Sequence, residues 1–317
     1  MLQQTQVSTV TPYYQRFMQR FPNIKSLASG PLDDVLALWS GLGYYARARY
    51  LYQTAQLIMR NYDGKFPRQL DLIQQLPGIG RSTAAAIAVF AFGQQCAILD
   101  GNVKRIFTRY FGIEGYPGNR KIQNRLWNKA SAILPDNNVN GNIEIYTQAL
   151  MDLGATVCTR SKPKCVICPL QKDCIALREQ RIDRLPTTKS RRPLPEKETV
   201  LLLLTKQKKI LLEKRPPKGI WGGLWCPPEM TTCKNVTTYC VQNYCFSIIV
   251  LDDIPPLHHS FTHFKLRIYP KLLEVVSPID SQQNNIMWLT LDEALAAAIP
   301  APVRTLLKQI GTNPIFT

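Results

Sequence analysis

The chain has 317 residues, 45% of them hydrophobic, and carries 39 lysines and arginines against 22 aspartates and glutamates, a formal net charge of +17. That length and apolar content exclude a disordered chain and leave room for two domains, each with its own core. There is no apolar run of membrane-spanning length and no secretion-signal layout, so a cytosolic address is the default; the charge points to a polyanion partner, nucleic acid first.

The chain opens MLQQTQVSTVTPYYQRF. Val7, Val10, Tyr14, Phe17 and Phe21 recur three and four residues apart, which predicts a helix committed to a core from the outset. Further helical periods run through residues 35–39, 51–59, 84–92 and 143–153, punctuated by Gly30-Pro31, Pro77-Gly78 and Pro117-Gly118. Residues 76–84 read LPGIGRSTA. Gly78 and Gly80 permit a tight turn that offers backbone N–H groups just before a helix predicted over 83–92, with Arg81 beside them. Taken alone this is an ordinary helix-to-helix turn; in a chain so basic it looks like a helix–hairpin–helix clamp for DNA phosphate. Residues 98–105, ILDGNVKR, follow. Asp100 there is either a helix N-cap, worth about 1 kcal/mol, or a carboxylate facing the groove beside the clamp.

Four of the nine cysteines, Cys158, Cys165, Cys168 and Cys174, fall within seventeen residues. In a cytosolic chain such a cluster suggests metal before disulfides. Zinc and an iron–sulfur cluster both accept four thiolates, and spacing does not choose between them. Arg160, Lys162, Lys164 and Lys172 lie between the thiols, where a pinned loop would offer cations to phosphate.

Residues 178–197 are charged and hold Pro186, Pro193 and Pro195, the style of a semi-rigid linker. After it come strand-like runs (ETVLLLLT, KKILLEKR, FSIIVLDDI, LRIYPKLLEVV) and two short helices near the end, LDEALAAAI and VRTLLKQI. The expectation is a multidomain protein: an all-α domain over 1–177, a linker over 178–197, and an α+β domain over 198–317.

The hairpin, the aspartate in ILDGNVKR and the C-x6-C-x2-C-x5-C spacing together resemble the iron–sulfur branch of the helix–hairpin–helix DNA glycosylases. GLGYYARAR at 41–49 and MDLGATVCTRSKPKC at 151–165 are similar to the MutY-type adenine glycosylases within it. KRPPKGIWGGLWCPPE at 214–229 is similar to that family's Nudix-like C-terminal domain. The resemblance implies a [4Fe–4S] cluster on the four cysteines. It also implies hydrolysis of the N-glycosidic bond of adenine opposite 8-oxoguanine or guanine in base excision repair. The partner it implies is double-stranded DNA carrying that mispair, bound by a monomer associated with the bacterial nucleoid.

The residue roles carried over by the resemblance are as follows. Asp100 stabilises the cationic sugar, with Ser82 near it in the pocket. Ser82 stands where the endonuclease III-like glycosylase/lyases carry a Schiff-base lysine, so strand cutting is not expected. Gln4, Thr5, Leu42 and Tyr44 wedge into the duplex or touch 8-oxoguanine, and Lys104 contacts phosphate or tunes Asp100. Phe261, Thr262 and His263 match a Phe-Ser-His loop that inspects the damaged base, with threonine for serine. Residues 234–244 contain no acid, so the Nudix-like domain is expected to recognise and not to hydrolyse nucleotides. The family's proton-donating glutamate belongs just upstream of MLQQTQ, before Met1. Asp33, Asp34 and Asp152 do not occupy its place. The chain is therefore expected to be a truncated form with impaired turnover. The alternatives are a non-catalytic lesion-binding protein and an endonuclease III-like pyrimidine-lesion glycosylase.

Overall fold

The computed structural model describes residues 1–3, 5–135, 142–189, 193–231, 235–276 and 285–311. In chain order the helices begin with α1 (Val7–Arg20), α2 (Ile24–Ser29), α3 (Leu32–Trp39) and α4 (Ala46–Asn61). There follow α5 (Leu70–Gln75), α6 (Arg81–Phe92), α7 (Gly101–Tyr110), α8 (Arg120–Ala132), α9 (Ile143–Asp152) and α10 (Ile175–Arg178). The strands are β1 (Glu196–Lys206), β2 (Lys209–Lys214), β3 (Trp225–Cys226), β4 (Glu229–Met230), β5 (Ile248–Asp253), β6 (Leu257–Ser260), β7 (Lys265–Val275) and β8 (Ile286–Thr290). Helix α11 (Val236–Tyr244) precedes β5, and α12 (Leu291–Ala296) and α13 (Ala301–Ile310) close the chain. Among the described residues no helix is long and apolar enough to cross a membrane.

Compactness divides the chain differently from sequence style. One unit joins Met1–Gly64 to Pro193–Thr317, and the other is Lys65–Arg192. The reason lies in β1. Its ETVLLLLT run is buried along both faces, which a strand flanked on one side only would not need. Leu201 and Leu203 belong to the cluster that contains Val10, Phe17, Leu36 and Trp39 from α1 and α3. Leu202 and Leu204 point the opposite way, into a cluster with Cys240 and Tyr244 of α11. The apolar stripe at the front of the chain is thus one cover of the sheet. Its Val7 and Tyr14 are exposed, whereas Val10, Phe17 and Phe21 are buried.

The sheet runs β3-β2-β1-β7-β5, with β4 on β1, β6 on β7 and β8 on β2. β1 and β7 pair in parallel from Glu196↔Lys265 to Thr205↔Glu274. Polar ties fix the helical cover to the sheet half of this unit. Lys214 Nζ pairs with Asp33 at 2.7 Å, and Trp225 Nε1 donates to Asp33 Oδ2 at 3.2 Å. Ser40 Oγ donates to the Ile299 carbonyl at 2.6 Å and accepts from Arg304 Nη2 at 3.0 Å.

The Lys65–Arg192 unit has its own cores. Ile98, Val103, Ile106, Phe107 and Leu126 form one, and Ile73, Ala84 and Ala88 another. The stretch expected as a linker is docked within it as far as residue 187. Leu185 is buried, its carbonyl accepts from Arg109 Nε at 2.8 Å, and Thr187 Oγ1 accepts the Gly115 N–H.

Candidate active site and lesion-reading elements

Leu76, Pro77, Gly78 and Ile79 form a turn closed by the Ile79 N–H on the Leu76 carbonyl at 3.1 Å. Proline at its second position and Gly78 at φ 74° at its third are the requirements of a type II turn. Gly80 then caps α6 without a side chain, so α6 begins at Arg81, two residues before the sequence expectation. Gly78, Gly80 and Arg81 are all exposed. The first turn of a twelve-residue helix therefore faces solvent with the positive end of its dipole. The Arg81 guanidinium lies 3.9 Å from the centre of the Trp127 ring of α8, which holds it beside the hairpin.

Ser82 Oγ accepts the Leu99 N–H at 3.1 Å. That bond ties the first turn of α6 to the residue before Asp100. Asp100 caps α7, its Oδ1 accepting the Val103 N–H at 2.7 Å. The cap and the half-buried carboxylate beside the hairpin are therefore one and the same residue, and neither reading of the sequence excludes the other. Lys104 is half-buried in the next turn of α7.

Two arginines of α7, four residues apart, clamp the thiol segment. Arg105 donates to the carbonyls of Cys158 (2.7 Å) and Gly154 (2.6 Å) and to Asn102 Oδ1 (2.9 Å). Burial pulls its pKa below the usual arginine range, and the neighbouring Cys158 opposes that. A Cβ on Gly154 would lie 2.5 Å from the Asn102 Cβ, so the chain can approach α7 this closely only as glycine. Arg109 is 3% exposed and donates to Leu185 O, Thr159 O (2.7 Å), Arg160 O (3.2 Å) and Cys158 Sγ (3.4 Å).

All four cysteines line one cavity of about 400 Å³, its solvent-open mouth included, together with Ile106, Leu153, Val157 and Leu170. Among the described residues no three metal-binding side chains converge closely enough to hold an ion. Burial raises the pKa of Cys165 and Cys174, and the other cysteines of the set add to the rise. Four sulfur donors round one apolar hollow are the donor set of a thiolate-bound metal centre, zinc or iron–sulfur alike.

The proposed lesion contacts lie in the other unit. Gly41 (φ 104°), Gly43 (φ 72°) and Tyr44 (φ 50°) make a tight left-handed turn before α4. Leu42 is buried there and Tyr44 is exposed. Arg47 holds this turn to the front of the chain. It donates to Gly43 O (3.3 Å), Thr5 Oγ1 (3.2 Å), Met1 O (2.9 Å) and Gln3 O, and its guanidinium lies over the Trp39 and Tyr44 rings. Gln4 lies outside the described residues. The turn between β6 and β7 is closed by the Phe261 N–H on the Phe264 carbonyl at 2.9 Å. Phe261 stacks on Phe264, and Thr262 and His263 are exposed at the tip. Helix α11 stands over the other face of the sheet, and its nine residues VTTYCVQNY include no acid.

Arg47, Asn102, Arg105 and Arg109 were not singled out in the sequence, yet they hold the 41–44 turn and the cysteine segment. The i, i+4 spacing of Arg105 and Arg109 on one strongly amphipathic helix is a signal that could have found them. The structure brings Thr5 to the 41–44 turn and Ser82 to Asp100. It buries Leu42.

Residues 1–132 match the family model described as HhH-GPD superfamily base excision DNA repair protein, and residues 199–309 match the NUDIX domain. The chain is 39% identical over 315 residues to the adenine DNA glycosylase of Buchnera aphidicola subsp. Acyrthosiphon pisum, covering 99% of this chain and 89% of that one. It is 33% identical to the adenine DNA glycosylase of Mus musculus, covering 97% of this chain and 69% of the relative. Among solved structures it resembles a thermostable thymine-DNA glycosylase with a TM-score of 0.51 and 29% identity, over 56% of this chain and 80% of that one.

Proposed function

The chain belongs to the adenine DNA glycosylases, DNA N-glycosylases of base excision repair, and from that premise we propose that it removes adenine paired with 8-oxoguanine or guanine, by hydrolysis alone. The observation that carries the proposal is the Leu99 N–H to Ser82 Oγ bond. It ties the exposed hairpin to the residue before Asp100.

In this reading the exposed N–H groups of the hairpin and Arg81 grip a phosphate beside the target, and the adenine swings out of the stack. Breaking the glycosidic bond leaves cationic character on the sugar. The Asp100 carboxylate, held by the Val103 N–H, offsets it without having to reorganise. Lys104 contacts phosphate or tunes that carboxylate. Ser82 has no amine, so no Schiff base forms and the strand stays intact. In the resemblance a general acid of the protein protonates the leaving adenine.

Cys158, Cys165, Cys168 and Cys174 would hold the [4Fe–4S] cluster, which when bound supplies a covalent pin for the cationic loop between them. Thr262 and His263 would read 8-oxoguanine from the tip of their turn, with Phe261 as its packed base. Thr5, Tyr44 and Gln4 would meet the duplex from the front of the chain. Leu42 would join them only if the 41–44 turn opened. The protein is taken to act as a monomer on double-stranded DNA.

The test is binding and base release on duplexes with adenine opposite 8-oxoguanine, guanine or cytosine. Tight binding to the 8-oxoguanine pair, adenine as the released base and no borohydride-trapped adduct are expected. Release of a damaged pyrimidine, or a trapped covalent complex, would overturn the reading.

A further inference from the structure

Trp221 is 7% exposed and stands at φ 55°. That left-handed conformation is uncommon for any residue with a side chain and strained for one this bulky. The two positions after it must be small or left-handed. A Cβ on Gly222 would lie 2.4 Å from the Pro217 carbonyl oxygen, and Gly223 is at φ 77°. The Gly223 N–H bonds to the carbonyls of Arg215 (3.2 Å) and Pro216 (3.1 Å), so the loop folds back on itself and drives the indole inward.

The indole arrives under the β6–β7 turn. Its ring centre lies 5.9 Å from that of Phe261 and 6.3 Å from that of His259. The His259 ring meets Phe261 edge-on at 4.7 Å, and Phe261 stacks on Phe264 at 4.4 Å. Burial lowers the pKa of His259, so its ring packs uncharged at neutral pH. Thr262 and His263 ride exposed on this stack. The loop has a second tie: Arg49 Nη1 donates to the Gly222 carbonyl at 2.7 Å. Arg49 sits on α4 two residues after Arg47, which holds Thr5 and Gly43.

We propose that Trp221 is a specificity-determining positioning residue. It props the 261–263 turn and, through Gly222 and Arg49, fastens it to the same helix that orients Thr5 and Tyr44. One short loop thereby holds both segments that meet the damaged base. The proposal rests on the reading above that these segments contact 8-oxoguanine.

The experiment measures equilibrium binding of the full chain to duplexes with adenine opposite 8-oxoguanine and opposite guanine. The ratio of the two affinities is the readout. Trp221→Ala is expected to shrink that ratio about tenfold, the scale of lost aromatic contacts, while affinity for undamaged duplex falls much less. Trp221→Phe should keep most of the preference. Arg49→Gln should also shrink the ratio, and its effect should not add to that of Trp221→Ala. A fall in melting temperature with the ratio intact means a merely structural role and overturns the proposal. If Trp221→Ala does not fold, an unchanged ratio in Arg49→Gln overturns it equally. A wild-type chain without any preference for 8-oxoguanine sinks the parent reading instead, a result visible before any variant is made.

Discussion

The Asp100 region of one compact unit and the 261–263 turn of the other are held by different physics. In Lys65–Arg192 the fixings are polar and directed at backbone: Ser82 on the Leu99 N–H, Arg105 on two carbonyls, and Arg109 on three carbonyls and a sulfur. In the unit that joins the front of the chain to the sheet, the 261–263 turn rests on a stack of rings, Trp221, His259, Phe261 and Phe264. Hydrogen bonds to backbone fix an atom to within tenths of an ångström, which suits a carboxylate that must meet a developing charge. Aromatic packing fixes a surface and tolerates small displacements, which suits a reader that must accept a duplex before judging one base. The difference teaches that chemistry and recognition, as proposed here, have separate supports and can be damaged separately.

The sharpest way to break that separation is Asp100→Asn. Asparagine caps a helix as well as aspartate does, so α7 should stand while the charge is lost. Base release in single turnover should fall by roughly 10³-fold or more, about 4 kcal/mol of barrier, with the 8-oxoguanine preference in binding unchanged. If that preference collapsed as well, the two functions would not be separable.

Next in size is Arg109→Leu, which leaves three carbonyls, that of buried Leu185 among them, and Cys158 without their donor. A loss of about 3 kcal/mol is expected, seen as a lower melting temperature and loss of the visible absorbance of the proposed cluster. Tryptophan emission, which comes mostly from the sheet-bearing unit (Trp39, Trp221, Trp225 and Trp288), should report a unit that still melts at the wild-type temperature.

Thr262→Val and His263→Ala aim at the other unit. Each should weaken binding to the adenine:8-oxoguanine duplex by about tenfold, near 1.4 kcal/mol, and leave the guanine duplex and single-turnover chemistry almost untouched. The smallest effect belongs to Arg81→Gln. The slope of log affinity against log salt should fall by about 0.9, equally for damaged and undamaged duplexes, because a phosphate contact carries no information about the base.

Much of the chemistry-bearing unit was legible in the sequence. LPGIGRSTA announces a type II turn before a helix, since proline and glycine occupy the two positions that turn demands. Asp100 announces a cap, and the four closely spaced cysteines line one cavity. These are local signals, decided within a turn or two of chain. ETVLLLLT was legible as a strand, and the α1 stripe as a buried face. What each is buried against was not, because an apolar residue specifies removal from water and not the partner that removes it.

By itself, then, the sequence determined the longer helices and strands, the hairpin turn, the absence of acids from 234–244 and the family. The tertiary structure alone decided that residues 1–64 cover the sheet of residues 193–317. It alone placed Arg47, Arg105, Arg109 and Trp221 as the supports of the short motifs, and withdrew Leu42 into the core. The physical reason is range. Turns, caps and thiol spacing follow from steric and hydrogen-bond rules acting between near neighbours in the chain. Arg109 on Leu185, Arg49 on Gly222 and Trp221 on Phe261 join positions that only the packed core brings together.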